Sequence, residues 1–275
     1  MQPAPEIEVI APAPAGAHIA HALFDFDGTI SLLRQGWQTV MAPLMVEVLA
    51  ACPASEPRPE IERVVAEYIA ASTGIQTIYQ MIWLADAVEA RGGRALTPEE
   101  YKERYLARLK AHIADRIAAV RSGSAPPEQY LVPGVHTALT ALRAAGVACY
   151  LASGTDVEDV RAEATLLGVD GYFCAIHGAL ADWRSYSKAR VIADILATHQ
   201  VPPTALLTFG DGYVEIENTH AVGGVAVGVA SDEEHPGALD AAKRQRLIAA
   251  GANYILSDLR PVPVLLRLLG LGDSA

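Results

Sequence analysis

The chain is short of cysteines, of cations and of long apolar runs, and each shortage excludes something. Cys52, Cys149 and Cys174 lie far apart with no CxxC spacing, and three thiols cannot all pair within one chain. They read as reduced structural thiols. Lys and Arg number 21 against 32 Asp and Glu, a net charge of −11 with a pI of about 5.2. No basic stripe is left to neutralise a phosphate backbone, which argues against nucleic acid and against anionic membrane surfaces. A small anionic substrate would need a metal or a local cation. No apolar run reaches the roughly 18 residues of a spanning helix. The N-terminus, with Pro3, Pro5, Pro12 and Pro14, lacks the basic start and apolar core of a secretory signal. The expectation is a soluble, cytoplasmic protein, monomeric or a small homo-oligomer, with neither nucleic acid nor membrane as partner.

What is present is apolar content of 51% over 275 residues, enough for one large domain or for a domain with a smaller insert. Residues 1–17, rich in Pro and Ala, read as an irregular or edge-forming lead-in. Short apolar runs at 18–26, 147–152, 172–176, 205–209 and 225–229 read as buried strands, each followed by Gly, Ser or Asp. Helical spacing over 157–167 and 188–199 places helices between the later runs. Alternating strands and helices predict a mostly parallel sheet with helices on both faces, and ligands bind such sheets at the C-terminal strand ends. The interval from 31 to 130 differs, with no convincing strand and with helices predicted over 37–50, 59–71, 77–90 and 98–120. The last begins at a Thr97 N-cap followed by proline. Residues 32–36 and 122–133, which carry Gly or Pro, are candidate hinges.

The chemistry-bearing residues fall after these strands. In Leu23-Phe24-Asp25-Phe26-Asp27-Gly28-Thr29 two carboxylates stand two apart, so in extended chain they point the same way, and Gly28 lets the backbone turn. Two anions that close repel unless a cation or a shared proton neutralises them, which makes the pair a candidate site. Ser153, after an apolar run and before Gly154, fits either a phosphate-binding hydroxyl or an N-cap, with Thr155 or Asp156 as other caps. Lys188 at a helix start is either solvated or a counter-charge. Phe209-Gly210-Asp211-Gly212-Tyr213-Val214-Glu215 brings two more carboxylates after another strand.

Taken in order, these four motifs resemble those of the haloacid dehalogenase superfamily, and the helical interval resembles the cap of its C1-capped phosphatase-like members. The resemblance implies an α/β fold: a Rossmann-like three-layer core over 1–31 and 131–275, with an all-helical cap over 32–130. It implies that Asp25 is a nucleophile that becomes an aspartyl phosphate, and that Asp27 is the general acid and base. Mg²⁺ would be held by Asp25, Asp211 and the backbone carbonyl of Asp27. Ser153, Gly154, Thr29 and Lys188 would hold the phosphate, with the Thr29 hydroxyl ordering the first loop. The fourth motif departs from the commonest pattern, because Glu215 stands where a second aspartate is usual. A glutamate there would ligate the metal, hold a metal-bound water or orient Lys188.

Candidates for substrate selection are Arg34, Trp37, Gln76, Thr77 and Gln80; Arg34 and Trp37 read equally well as a solvated arginine and a core tryptophan. His177 reads as structural or functional alike. The implied activity is a Mg²⁺-dependent phosphatase acting on a small phosphorylated metabolite such as a sugar or polyol phosphate. A sugar phosphomutase and a non-catalytic phospho-ligand-binding regulatory protein are the alternatives. Asp27 disfavours a dehalogenase, which lacks an acid at that position.

Overall fold

The computed structural model describes residues 7–271, so Pro3 and Pro5 of the lead-in lie outside the described residues. The chain divides into two compact units, one made of residues up to 35 and from 120 onward, the other of residues 36–119.

In the first unit, β1 (Glu8–Val9) and β2 (His21–Phe24) come before the excursion into the second. The second holds α1 (Gln38–Ala50), α2 (Arg58–Ala71), α3 (Thr77–Ala90) and most of α4 (Pro98–Ser122). The chain then returns through α5 (Val135–Ala144), β3 (Ala148–Asp156), α6 (Val157–Leu166), β4 (Phe173–Ala179) and α7 (Lys188–His199). It ends with β5 (Leu206–Gly210), α8 (Tyr213–Val222), β6 (Val225–Val229), α9 (Ala241–Ala249), β7 (Tyr254–Leu256) and α10 (Val262–Leu268).

The described strands form one sheet in the order β1-β7-β6-β5-β2-β3-β4, parallel except for the antiparallel β1–β7 edge. Every residue of β2, β5 and β6 is buried, as a strand covered on both faces requires. Phe24 and Phe209 stack at 4.5 Å between ring centroids, inside an apolar cluster that also takes in Leu139, Leu151, Val227 and Leu265. Burying side chains of this size contributes about 1.5–3 kcal/mol each. β2 is central, with β5 on one side and β3 on the other, so strand order reverses there and opens a crevice at the C-terminal ends.

The strand expected over 18–26 is cut to four residues, and β3 runs on to Asp156 instead of ending at 152. The register of β3 against β4 shifts between Ala152 and Asp156, so Ser153, Gly154 and Thr155 lie in an irregular strand end rather than in a turn.

The second unit is helical. Tyr101, Tyr105, Leu109 and Ile113 recur every fourth residue of α4 and pack in one cluster with Met41, Met45, Val65 and Leu84. Thr97 and Glu100 form a reciprocal cap at the start of α4: the Glu100 N–H donates to Thr97 Oγ1 at 3.2 Å, and the Thr97 N–H to Glu100 Oε2 at 2.8 Å. No described helix is long and apolar enough to cross a membrane.

Candidate active site

Parallel register delivers the motifs to one place. Phe24 lies opposite both Leu151 and Phe209, so the residues that follow in each strand emerge at the same end of the sheet. Asp25 is the first of them, its N–H donating to Phe209 O at 2.9 Å. Lys188, the first residue of α7, places Nζ 2.8 Å from Asp25 Oδ1 and 2.7 Å from Glu215 Oε2. All three side chains are buried. Burial pushes the Asp25 carboxyl well up; Lys188 opposes this, while Glu215 and Asp211 add to it. Burial would lower the lysine's pKa, yet the two carboxylates outweigh it and hold Lys188 protonated.

Two glycines allow this density. Gly28 has φ +75°, and a Cβ there would stand 2.2 Å from Asp211 Oδ2. A Cβ on Gly210 would fall 2.0 Å from Glu215 Oε1. The carboxylates lean directly on backbone that has no side chain.

Asp27 faces the other strand. Its Oδ2 accepts from Thr155 Oγ1 at 2.9 Å and, at 3.5 Å, from Ser153 Oγ, while Oδ1 is buried with no hydrogen bond. Burial raises its pKa, with Arg34 and the Thr155 bond opposing. Ser153 Oγ also accepts from the Thr155 N–H at 3.1 Å, and its carbonyl accepts from Tyr186 Oη at 2.8 Å. Asp156 stands at the N-cap of α6 without a side-chain capping bond.

The model of haloacid dehalogenase-like hydrolases matches residues 19–223, about three quarters of the chain and every motif above. The chain belongs to this family. No curated protein matches it. Solved structures of the family share its fold. A predicted phosphoglycolate phosphatase from Haemophilus somnus 129pt is 16% identical with a TM-score of 0.59, over 90% of this chain and 97% of its own. A β-phosphoglucomutase from Clostridium difficile is 15% identical with a TM-score of 0.60, over 92% and 98%. A conserved haloacid dehalogenase-like protein of unknown function from Agrobacterium tumefaciens str. C58 is 18% identical with a TM-score of 0.57, over 92% and 100%.

Haloacid dehalogenase-like hydrolases generally use Mg²⁺, and the donor set fits such an ion. Carboxylate oxygens of Asp25, Asp211 and Glu215 all come within 4.8 Å of one another. Asp25 gives Oδ1 to Lys188 and Asp211 gives Oδ2 to a second buried lysine, Lys243, at 2.8 Å. The remaining oxygens, Asp25 Oδ2 and Asp211 Oδ1, accept no hydrogen bond among the described residues. Glu215 is different, since Oε2 accepts from Lys188 and Oε1 from the Gly212 N–H at 2.9 Å. Both its oxygens are engaged, which fits an orienting role better than direct ligation.

Thr29 is fully buried, but its hydroxyl has no hydrogen-bond partner; the loop is ordered by backbone instead, with the Thr29, Ile30 and Ser31 N–H groups all donating to Phe26 O. Arg34 is neither solvated nor open to a ligand: its guanidinium is buried, with Nη2 2.7 Å from Glu163 and 3.5 Å from Asp159, and Nε 3.9 Å from Asp27 Oδ1. Burial alone would lower the Arg34 pKa, but Asp27, Glu163 and Asp159 raise it and keep the guanidinium charged. Trp37 packs on the helical cluster of its own unit, Gln76 is the N-cap of α3 with Thr77 its first residue, and Gln80 Nε2 donates to Ser72 Oγ at 3.1 Å. The side chain of His177, in β4 opposite Ala152, makes no hydrogen bond among the described residues, and burial lowers its pKa.

Sequence reasoning missed Lys243, Glu233, Tyr186 and Glu163, and it took Thr155 for a helix cap where the structure makes it the partner of Asp27. One signal was available. Lys243 is the third residue of α9, after its N-cap Asp240, where the helix dipole disfavours a cation. Residues that break a local rule tend to fall at functional or strained sites.

Proposed function

We propose that the chain is a phosphatase acting on a small phosphorylated metabolite through a covalent phosphoryl-Asp25. The observation that carries this reading is the asymmetry of the two motif carboxylates. Asp25 is ion-paired to a buried lysine, whereas Asp27 accepts from the hydroxyls of Thr155 and Ser153 and has no lysine partner among the described residues. One is suited to attack, the other to carry a proton.

In the first half-reaction an Asp25 oxygen bonds to phosphorus as the ester P–O bond breaks, and Asp27 gives its proton to the leaving alkoxide. In the second, Asp27 takes a proton from water, the water oxygen bonds to phosphorus and the P–O bond to Asp25 breaks. Lys188 opposes the negative charge that gathers around the transferring group, and Glu215 fixes Lys188 through Oε2. Mg²⁺ held by Asp25 and Asp211, when bound, would supply further neutralisation of the phosphoryl oxygens. Trp37, Gln76, Thr77 and Gln80 keep a substrate-selecting role as part of this proposal, and sugar or polyol phosphates remain the class to try first.

A panel of phosphate esters with Mg²⁺ tests the reading. Native protein should release inorganic phosphate from at least one ester, and Asp25→Asn should lower the rate at least about 1,000-fold with an unchanged circular dichroism spectrum. Isomerisation of a sugar phosphate without release would favour a mutase. Ligand-induced stabilisation with no turnover of any ester would favour a binding protein.

A further inference from the structure

Asp211 is held from one side only. Lys243 Nζ sits 2.8 Å from its Oδ2, and the backbone of Gly28 leaves no room for even a methyl group beside that oxygen. Lys243 is itself fixed: it is 6% exposed, with Glu233 Oε1 at 3.0 Å and Ser231 Oγ at 3.5 Å. Ser231 closes the circuit by donating to Gly28 O at 2.6 Å. Oδ2 is therefore clamped between an ammonium and a loop that its own clamp ties down. Of its two oxygens, only Oδ1 accepts no hydrogen bond among the described residues.

One-oxygen ligation suits some cations better than others. Mg²⁺ takes six ligands in a strict octahedron and is served by monodentate carboxylates. Ca²⁺ accepts roughly six to eight oxygens and readily takes both oxygens of one carboxylate. A carboxylate with one oxygen already committed to a lysine cannot easily offer two.

We propose that Lys243 is a positioning residue that makes Asp211 a one-oxygen ligand and so favours Mg²⁺ over Ca²⁺ at the site. This rests on the reading of Asp211 as a metal ligand. Neither Lys243 nor Glu233 is assigned to substrate, and the selection acts through the geometry of Asp211.

The test is equilibrium calorimetry of the substrate-free protein with MgCl₂ and with CaCl₂, read as the ratio of the two dissociation constants. Both ions carry the same charge, so any repulsion that Lys243 exerts cancels in the ratio, which reports geometry. Lys243→Met should reduce the preference for Mg²⁺ by about tenfold, and Lys243→Arg, which restores a cation beside Asp211, should recover most of it. Should Lys243→Met fail to fold because Glu233 is left buried and unpaired, the double variant Lys243→Met with Glu233→Gln removes both halves of the pair and should show the same loss. A ratio within twofold of native in the folded variant overturns the role of Lys243 alone. Native protein that binds neither ion, or whose Mg²⁺ binding survives Asp211→Asn, overturns the metal reading as well.

Discussion

At the scale of single residues, the site is set by how closely carboxylates approach backbone. Gly28 and Gly146 make a natural comparison, because both have left-handed φ, +75° and +73°, but only Gly28 has a neighbour where a Cβ would go. Gly146→Ala should cost about 1 kcal/mol of stability and leave phosphate release within twofold of native. Gly28→Ala should cost about 1–3 kcal/mol and abolish most activity, since Asp211 Oδ2 has to move aside. Denaturant melts and ester turnover on the two variants check this; equal activity would show that the approach of Asp211 to Gly28 is incidental. The Asp25–Asp27 pair was legible in the sequence because i and i+2 spacing is a local property. The partner of Asp27 was not, because the irregular end of β3 decides that Thr155 comes closer to it than Ser153 does. Arg34 was misread for a similar reason: nothing local announces that Glu163, 129 residues away in the chain, will bury it.

Elements explain why the cations stand where they do. Lys188 and Lys243 both occupy the first turn of a helix, where the dipole opposes a positive charge. Each is held there by two carboxylates. Glu215 serves both its helix and the site, capping α8 through the Gly212 N–H while fixing Lys188. Glu215→Gln keeps the cap but removes the negative charge that faces Lys188, so the lysine is drawn towards Asp25 alone. The expected outcome is a stability loss of about 1–3 kcal/mol with turnover reduced about 10–100-fold, measured by thermal melts and steady-state kinetics. Unchanged turnover would remove Glu215 from the machinery. The four helices of the second unit and the main strands were readable from apolar periodicity, their ends falling within a few residues. β7 was not, since three residues are too short to show a period, and β1 was anticipated only as part of an edge-forming lead-in.

For the whole molecule, the fold follows from strand order. Because strand order reverses at β2 while the strands stay parallel, residues far apart in sequence, Asp25, Ser153 and Asp211, are delivered to one crevice by register alone. A chain of net charge −11 that is to act on an anion must concentrate its few cations, and it buries two lysines and an arginine among the carboxylates around this crevice. The central claim is that Asp25 carries the phosphoryl group. Borohydride reduction of protein quenched during turnover, followed by peptide mass spectrometry, tests it most directly, because an acyl phosphate is reduced to an alcohol at the residue that bore it. The account predicts reduction at position 25 in native protein and none in Asp25→Asn. Reduction at another residue, or ester hydrolysis at the native rate by Asp25→Asn, would contradict it.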